Sequence, residues 1–523
     1  MIERYLFSQT QKIQNQALRE VVELLLRTVL ANWFFAVVLI VLWRFPYLVA
    51  DQTDGVVTPE LARMGSKSFT WQLYMASALV MASLAMSYNL LFGFSGIISF
   101  GHGLFFGAGG YITYLVIAEY NAEGHNTGLT VALALNGALL LLMLLARARL
   151  RWPMLLIPAV SFALVFVLVP KGDTITFYRA MGVAVVGSVV LSVLSAIVML
   201  RLKGVYFAMF TLALAEVSLV LSKSFDVTGR ETGVSLRTII PEELEIIRIP
   251  ANRLDVYYIT LAFFVVVFLA IRRYMNSPVG RAVLAIRENE ERASTIGYNV
   301  FYYRMMTLVF AGIIATLSGV LFVLVSADRK IRPEYLGINY TVLPLLHTLT
   351  GGMGTFSGPA LAALGLELSE SYLREEAVTF RLFKIITVWQ LVVGMYAVFA
   401  MMYVRFAWEK IILPLIPPRV RERILARVAH LPVTIPEAWS SYWRRYRLGT
   451  TVVMGILPFM VGVLYANEIK HDYLVNEIWP LLLGALFIIA VMALPNGIVG
   501  TWIKWRAERQ IRRLQREMQQ AQE

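Results

Sequence analysis

The stretch SYNLLFGFSGIISFGHGLFFGAGGYITYL, residues 87–115, decides the fold of this chain. It is long enough to cross a hydrocarbon layer about 30 Å thick, and it carries no Asp, Glu, Lys or Arg. Its many glycines let neighbouring helix backbones approach closely, and Gly103 with Gly107 has the GxxxG spacing of tightly packed membrane helices. The stretch therefore predicts a helical membrane protein.

The rest of the chain has the same apolar character. Of its 523 residues, 58% are hydrophobic and 15% are charged, which leaves too few polar side chains to cover a water-soluble surface. The absence of cysteine excludes disulfides and thiolate metal sites in this sequence. The net charge of +13 falls mostly between apolar runs, where it would set membrane topology, so we predict no nucleic-acid binding.

Apolar runs of spanning length recur along the chain. The loops that we assign to the cytoplasm carry roughly twice as many Lys and Arg as the outer loops, as the positive-inside rule expects. We predict an all-α, polytopic transmembrane helical bundle with about 14 membrane segments, half-helices among them, and with both termini cytoplasmic. The predicted segments are 31–47, 71–91, 97–117, 129–145, 153–169, 180–200, 205–221, 256–271, 305–325, 340–350, 356–372, 383–404, 451–465 and 478–499.

Composition also divides the chain into parts. We predict a cytoplasmic N-terminal helix over 1–29, a transmembrane core over 30–404, a basic cytoplasmic insert over 405–449, an additional transmembrane hairpin over 450–499, and a basic cytoplasmic tail over 500–523. The insert could bind anionic lipid headgroups or a partner protein.

Polar side chains within the predicted spans are candidates for the path of a solute, because such groups are costly in lipid unless they face protein or water. Each could instead have a purely structural role, in helix packing or in a buried hydrogen bond. The structural role and the role in the solute path both stay open. His347, Glu367 and Glu370 could also line the path, but the sequence defines their depth in the membrane less well. The glycine-rich segment around His102 is a candidate as a whole, so two of its glycines are included. The candidates for the path are Ser99, Gly101, His102, Gly107, Tyr206, Thr211 and Glu216.

The segment NSPVGRAVLAIRENEERASTIGYNV, residues 276–300, predicts one capped helix in a cytoplasmic loop. Ser277 can cap its start with Pro278 at the first helical position, and Gly297 can end it. Val279, Val283 and Ile286 form an apolar face opposite a charged one. Such a helix docks either on a protein or on a membrane surface, and its mixture of Glu and Arg disfavours the membrane.

Four segments, in this order, resemble the LivM-type permease subunits of branched-chain amino-acid ABC importers. They are residues 90–111, 201–217, 277–300 and 351–368. The resemblance implies that 277–297 is a coupling helix that seats on an ATPase subunit. The residues implied in coupling are Gly280, Arg281, Ala285, Ile286, Arg287, Glu288, Glu291, Ala293 and Gly297.

The resemblance also implies a location and partner subunits for the chain. It implies the bacterial inner membrane, two ABC ATPase subunits, a second LivH-like permease and an external solute-binding protein. The chain contains no GxxxxGK[ST] phosphate-binding loop, so we expect ATP and Mg²⁺ on the partner ATPases and neither a cofactor nor an enzymatic activity in this chain.

Two alternatives to this function remain. Permeases for urea or short amides look much alike, and a secondary transporter or membrane scaffold could retain the fold without an ATPase. The chain also departs from the family after Tyr372, where the basic insert and the additional hairpin precede ALPNGIVG, residues 493–500. The role of these additions stays open.

Overall fold

The computed structural model describes residues 33–52, 67–121, 177–202, 204–235, 253–326 and 329–374, together with positions 160, 497, 499–501 and 504. These residues are mostly helical. The α-helices are α1 (Trp33–Gln52), α2 (Lys67–Asn89), α3 (His102–Asn121), α4 (Phe177–Met199), α5 (Val205–Ser224), α6 (Arg253–Met275), α7 (Pro278–Glu288), α8 (Glu290–Thr295), α9 (Val300–Val325), α10 (Asn339–Gly351) and α11 (Gly358–Arg374).

Shorter elements complete the described residues. A π-helix, Leu90–Phe94, follows α2 directly, and three 3-10 helices cover Asp226–Thr228, Arg230–Thr232 and Pro333–Leu336. Two short strands, β1 (Val234–Ser235) and β2 (Lys330–Ile331), pair antiparallel with Val234 opposite Ile331.

Five helical stretches in the described part are long and apolar enough to cross a membrane, which confirms a polytopic helical protein. They are Thr70–Phe94, Arg179–Met199, Val205–Ser224, Leu254–Met275 and Val300–Val325. The predicted segments 129–145, 153–169, 383–404, 451–465 and 478–499 lie wholly or almost wholly outside the described residues. The parts 1–29, 405–449, 450–499 and 500–523 do so as well. The number of about 14 segments and the cytoplasmic termini therefore stay predictions.

Helix α2 stands at the centre of the described bundle. Its apolar stretch is 89% buried, and it packs against α6, α9, α10 and α11. Helix α3 packs against α4 and α9, whereas α5 lies at the periphery with only 28% of its apolar stretch buried. Tyr257 of α6 donates a hydrogen bond to the Leu42 carbonyl of α1, which holds these two helices together.

The two ends of the bundle differ in the elements that they carry. Helices α7 and α8 join the end of α6 to the start of α9, and we call the end of the bundle that carries them the α7 end. Its location in the cytoplasm stays a prediction from the charge pattern. At the opposite end the β1–β2 pair joins the segments that follow α5 and α9. An ion pair of 3.9 Å between Lys223 and Glu334 links the last turn of α5 to the segment that follows α9.

Glycines allow the close helix contacts that the sequence predicts. A Cβ added to Gly103 would lie 2.5 Å from the Gly337 carbonyl oxygen, and one added to Gly107 would lie 2.7 Å from Leu336. On the side of α3 that faces α9, Gly109 lies directly against the Thr316 backbone. The GxxxG pair therefore serves tight packing, as in other membrane helices.

Two sequence-based boundaries were wrong. The segment predicted to begin at position 97 starts as helix only at His102, because residues 95–101 are not helical. The surface helix predicted over 277–297 is interrupted at Asn289, whose extended backbone (φ −158°, ψ 105°) separates α7 from α8. An Asn side chain can cap the start of a new helix, which accounts for a break in the middle of an amphipathic pattern.

Candidate functional site

The start of α7 is fixed by local hydrogen bonds. The Ser277 hydroxyl accepts a bond of 3.3 Å from the Gly280 amide and donates one of 2.6 Å to the Tyr274 carbonyl, while Pro278 occupies the first turn. A Cβ added to Gly280 would lie 2.5 Å from the Tyr274 and Met275 carbonyl oxygens. Helix α7 is therefore held tightly against the end of α6, as N-cap chemistry and a helix-packing glycine predict.

Helix α7 has one buried and one exposed face. Ala282, Val283 and Ile286 are at most 3% exposed, which confirms the predicted apolar face for Val283 and Ile286. Arg281, Ala285 and Glu288, spaced four and three residues apart, are all exposed and share one side of the helix. Arg287, at the end of the helix, is also exposed but lies outside this row.

Helix α8 has its own contacts with the bundle, separate from those of α7. Asn289 caps it by accepting a hydrogen bond of 2.8 Å from the Arg292 amide, and Ala293 is 3% exposed against the protein. Glu290 forms an ion pair of 3.1 Å with Arg304 of α9. Glu291 is exposed, and Gly297 adopts a left-handed φ of 101° that ends the segment.

The apolar stretch that opened the sequence is interrupted at the α7 end. The π-helix Leu90–Phe94 is closed by hydrogen bonds from the Ser95 and Ile97 amides to the Leu90 and Leu91 carbonyls. Gly96 has a left-handed φ of 73°, and helix resumes only at His102. Nonhelical backbone at membrane depth is tolerated where it is buried in protein or lines a cavity.

Three of the predicted path residues meet beside this break. The Thr211 hydroxyl of α5 accepts a hydrogen bond of 2.9 Å from the Phe100 amide, and the Ser99 hydroxyl accepts one of 3.3 Å from the Gly101 amide. A Cβ added to Gly101 would lie 2.7 Å from the Thr211 carbonyl oxygen. Thr211 and Gly101 therefore join α5 to the nonhelical segment, and Ser99 supports Gly101 within that segment.

His102 and Gly107 face other parts of the bundle. His102 is 0% exposed, its Nε2 lies 2.8 Å from the Ser87 hydroxyl, and the Tyr88 ring packs edge-on against it. Gly107 contacts Leu336 near the opposite end. Both positions are closely packed in this structure, whichever of the two proposed roles they serve.

Tyr206 and Glu216 do not lie with Ser99, Gly101 and Thr211. Tyr206 is 74% exposed on the outer side of α5, and Glu216 is half-buried, with no hydrogen bond or ion pair to any residue that the structure describes. His347 of α10 and Glu367 of α11 lie 3.7 Å apart and contact each other inside the bundle. Among the described residues, no three His, Asp or Glu side chains converge as a metal site would require.

A second helix interruption lies next to the first. Helix α10 ends at Gly351 after 13 residues, as expected of a half-helix, and the turn 352–357 leads into α11. Asn89 holds this turn: its side chain donates a hydrogen bond of 2.8 Å to the Thr355 carbonyl and accepts one of 3.0 Å from the Gly354 amide. Gly497, in the segment ALPNGIVG, lies against Gly352.

Sequence reasoning missed the residues that connect these elements. Asn89 binds a turn that is 265 residues away in the chain, and no local spacing connects the two. The Glu290–Arg304 ion pair was missed for a simpler reason, since both residues appear as ordinary surface charges. An Asn at the end of an otherwise apolar helix is the one signal that could have singled out Asn89.

Known sequences match a large part of the chain. Residues 72–401, well over half of the chain, match the family described as "Branched-chain amino acid transport system / permease component". No solved structure gives a significant match.

Curated relatives are more distant. The chain is 28% identical over 165 residues to the "Probable branched-chain amino acid transport permease protein LivM" of Methanocaldococcus jannaschii, a match that covers 31% of this chain and 46% of that protein. It is 27% identical over 200 residues to the "High-affinity branched-chain amino acid transport system permease protein LivM" of Escherichia coli (strain K12), covering 34% of this chain and 46% of that protein. The chain thus spans less than half the length of the curated relatives that it matches.

Proposed function

This chain belongs to the family of permease components of branched-chain amino acid transport systems, and from that premise we propose that it is a membrane subunit of an ATP-driven importer. Branched-chain amino acids are the proposed solutes. The proposed location is the bacterial inner membrane, and the proposed partners are two ABC ATPases, a second LivH-like permease and an external solute-binding protein.

The observation that carries the proposal is the α7–α8 surface segment. It is held against the bundle by the Ser277 cap, the close contact of Gly280 with α6 and the Glu290–Arg304 ion pair. Its row Arg281, Ala285 and Glu288 remains exposed, with a charge at each end. A helix that is attached firmly on one side and charged on the other is suited to receive a force from a docked protein. The proposed ATPases would seat on this row.

The two helix interruptions support a transport mechanism rather than covalent catalysis. Alternating access needs membrane segments that have two arrangements, and interrupted helices supply backbone that can change its path. ATP binding and hydrolysis on the partners would bias these arrangements through their contact with α7. The chain itself would supply the path and the contact.

Uptake measurements test this proposal. Cells without their own branched-chain amino acid uptake should accumulate labelled leucine when they express this chain with the subunits that co-purify with it. Depletion of ATP should abolish uptake even when the membrane potential is maintained. Excess isoleucine and valine should compete for uptake, whereas competition by urea or short amides alone would support the alternative solutes. Uptake that persists without ATP and follows an ion gradient would indicate a secondary transporter.

A further inference from the structure

One charged residue of α7 does not belong to the exposed row. Positions 280, 283 and 287 recur at intervals of three and four residues, so Arg287 shares a side of the helix with the buried Gly280 and Val283. Arg281, Ala285 and Glu288 lie on the opposite side. Arg287 therefore leaves α7 beside its buried face and reaches the bundle, although at the end of the helix the residue is exposed.

The Arg287 side chain lies against both helix interruptions. A Cβ added to Gly96 would lie 3.1 Å from Arg287 Cγ, and one added to Gly354 would lie 3.3 Å from Arg287 Nη1. Gly96 follows the π-helix and Gly354 lies in the turn after α10, and both have a left-handed φ, of 73° and 72°. The stem of the arginine thus covers one glycine while its guanidinium approaches the other.

The two glycine-containing turns are also joined directly. Asn89 forms two hydrogen bonds to the 352–357 turn, and a Cβ added to Gly93 would lie 2.5 Å from the Gly354 amide nitrogen. The ends of α2 and α10 are therefore in backbone contact and should shift as one unit. A residue of α7 that touches this unit can therefore transmit a displacement of α7 to both turns.

Charge favours the same arrangement. Helix α10 ends at Gly351, three residues before Gly354, and the π-helix ends at Phe94, two residues before Gly96. The C-terminal ends of helices carry partial negative charge, which a nearby cation stabilises. The guanidinium lies beside the end of α10 and gains from its partial negative charge, while the stem passes the end of the π-helix; a neutral side chain would lose the electrostatic contribution.

We infer that Arg287 is a positioning residue that connects α7 to the ends of both interrupted membrane segments, while Arg281, Ala285 and Glu288 form the face open to a partner. Movement of α7 reaches the membrane core at Gly96 and Gly354. The inference rests on the proposed function, because it assigns the two sides of α7 to two different tasks in the same coupling.

Hydrogen exchange of the purified full-length chain tests the connection without any partner. The amides of Ser95, Ile97, Gly354 and Thr355 are hydrogen-bonded and report on the two turns. Arg287→Met keeps a long apolar stem and removes the charge, so peptides that cover both turns should exchange faster, on the order of fivefold. Arg273→Met, the same change at an exposed position on α6, should alter neither peptide.

Exchange that stays unchanged in both turns of Arg287→Met would overturn the inference. A second measurement separates it from the proposed function: Arg287→Met should retain partner ATPases during purification while the solute transported per ATP falls, whereas Glu288→Arg should lose the ATPases. Equal loss of ATPases from both variants would place Arg287 on the partner face and also overturn the inference. Failure of the unmodified chain to bind any ATPase would contradict the proposed function alone, and the exchange comparison would still decide the role of Arg287.

Discussion

Asn89 stands where α2 becomes a π-helix, and its side chain is one of the few long-range polar links among the described residues. It bonds to the Thr355 carbonyl and the Gly354 amide in a partly buried site. Removal of such a side chain leaves a backbone donor and acceptor without their partner, and each such loss costs about 1–3 kcal/mol. Asn89 therefore matters more for the fold than its place in an apolar run indicates.

Asn89→Ala should lower the stability of the chain by about 2–6 kcal/mol, the sum of the two losses, and should lower its thermal unfolding temperature in detergent. Asn276→Ala is the matched control, because Asn276 is exposed and only its backbone forms a described hydrogen bond. Tryptophan fluorescence of the two purified variants during heating makes the comparison. Equal unfolding temperatures would show that the Asn89 bonds contribute nothing measurable.

Local residue chemistry was predictable where the cause lies within a few residues. The Ser277 cap, Pro278 in the first turn and the left-handed Gly297 all follow from helix-end preferences, and all three occur in the structure. Asn289 was missed because its neighbours continue an amphipathic pattern through it. Asn89 and Arg287 were beyond prediction from spacing, since their contacts depend on turns far away in the chain.

At the scale of elements, glycines decide how closely the helices pack. Gly103 of α3 lies against the Gly337 carbonyl, while none of the residues that the structure describes lies within 4 Å of the position that a Cβ on Gly365 of α11 would occupy. The same substitution should therefore have opposite effects at the two sites. Gly→Ala in an open helical position favours the helix by up to about 1 kcal/mol, whereas a close contact forces the helices apart.

Gly103→Ala should destabilise the bundle by about 1–3 kcal/mol, and Gly365→Ala should leave its stability unchanged or slightly raised. Thermal unfolding of the two variants in one detergent measures the difference. A Gly103→Ala variant as stable as Gly365→Ala would mean that α3 can move away from Gly337 without cost.

Gly280 is the corresponding position for the surface segment. A methyl group there would lie against the Tyr274 and Met275 carbonyls, so Gly280→Ala should displace α7 from α6. Trypsin should then cut more rapidly after Arg281 and Arg287, with membrane insertion unchanged. Gly365→Ala serves as the control once more, and equal cleavage rates in the two variants would contradict the tight seating of α7.

At the scale of the whole molecule, the sequence predicted the class and many of the elements but not their arrangement. Hydrophobic runs correctly indicate α2, α4, α5, α6 and α9, because length and apolarity are local properties. They also placed a span across residues 97–101, where the chain is nonhelical, since an apolar glycine-rich run is compatible with helix or with a buried turn. The central position of α2 and the peripheral position of α5 depend on contacts between distant segments.

The same limit applies to the candidate path. Ser99, Gly101 and Thr211 were selected as polar or small residues in apolar runs, and the structure brings them together through the Phe100–Thr211 and Gly101–Ser99 hydrogen bonds. Tyr206 and Glu216 were selected by the same rule and lie elsewhere on α5. Residue type alone could not distinguish the two groups, because the face of a membrane helix that meets protein depends on its neighbours.

Co-purification of the full-length chain from its native membrane in mild detergent tests the central claim most directly. We predict that two ABC ATPases and a second permease accompany the chain, and that a variant with Arg281→Glu and Glu288→Arg loses the ATPases but still inserts in the membrane. A chain that purifies alone, or together with soluble enzymes only, would contradict its assignment as a subunit of an ATP-driven importer.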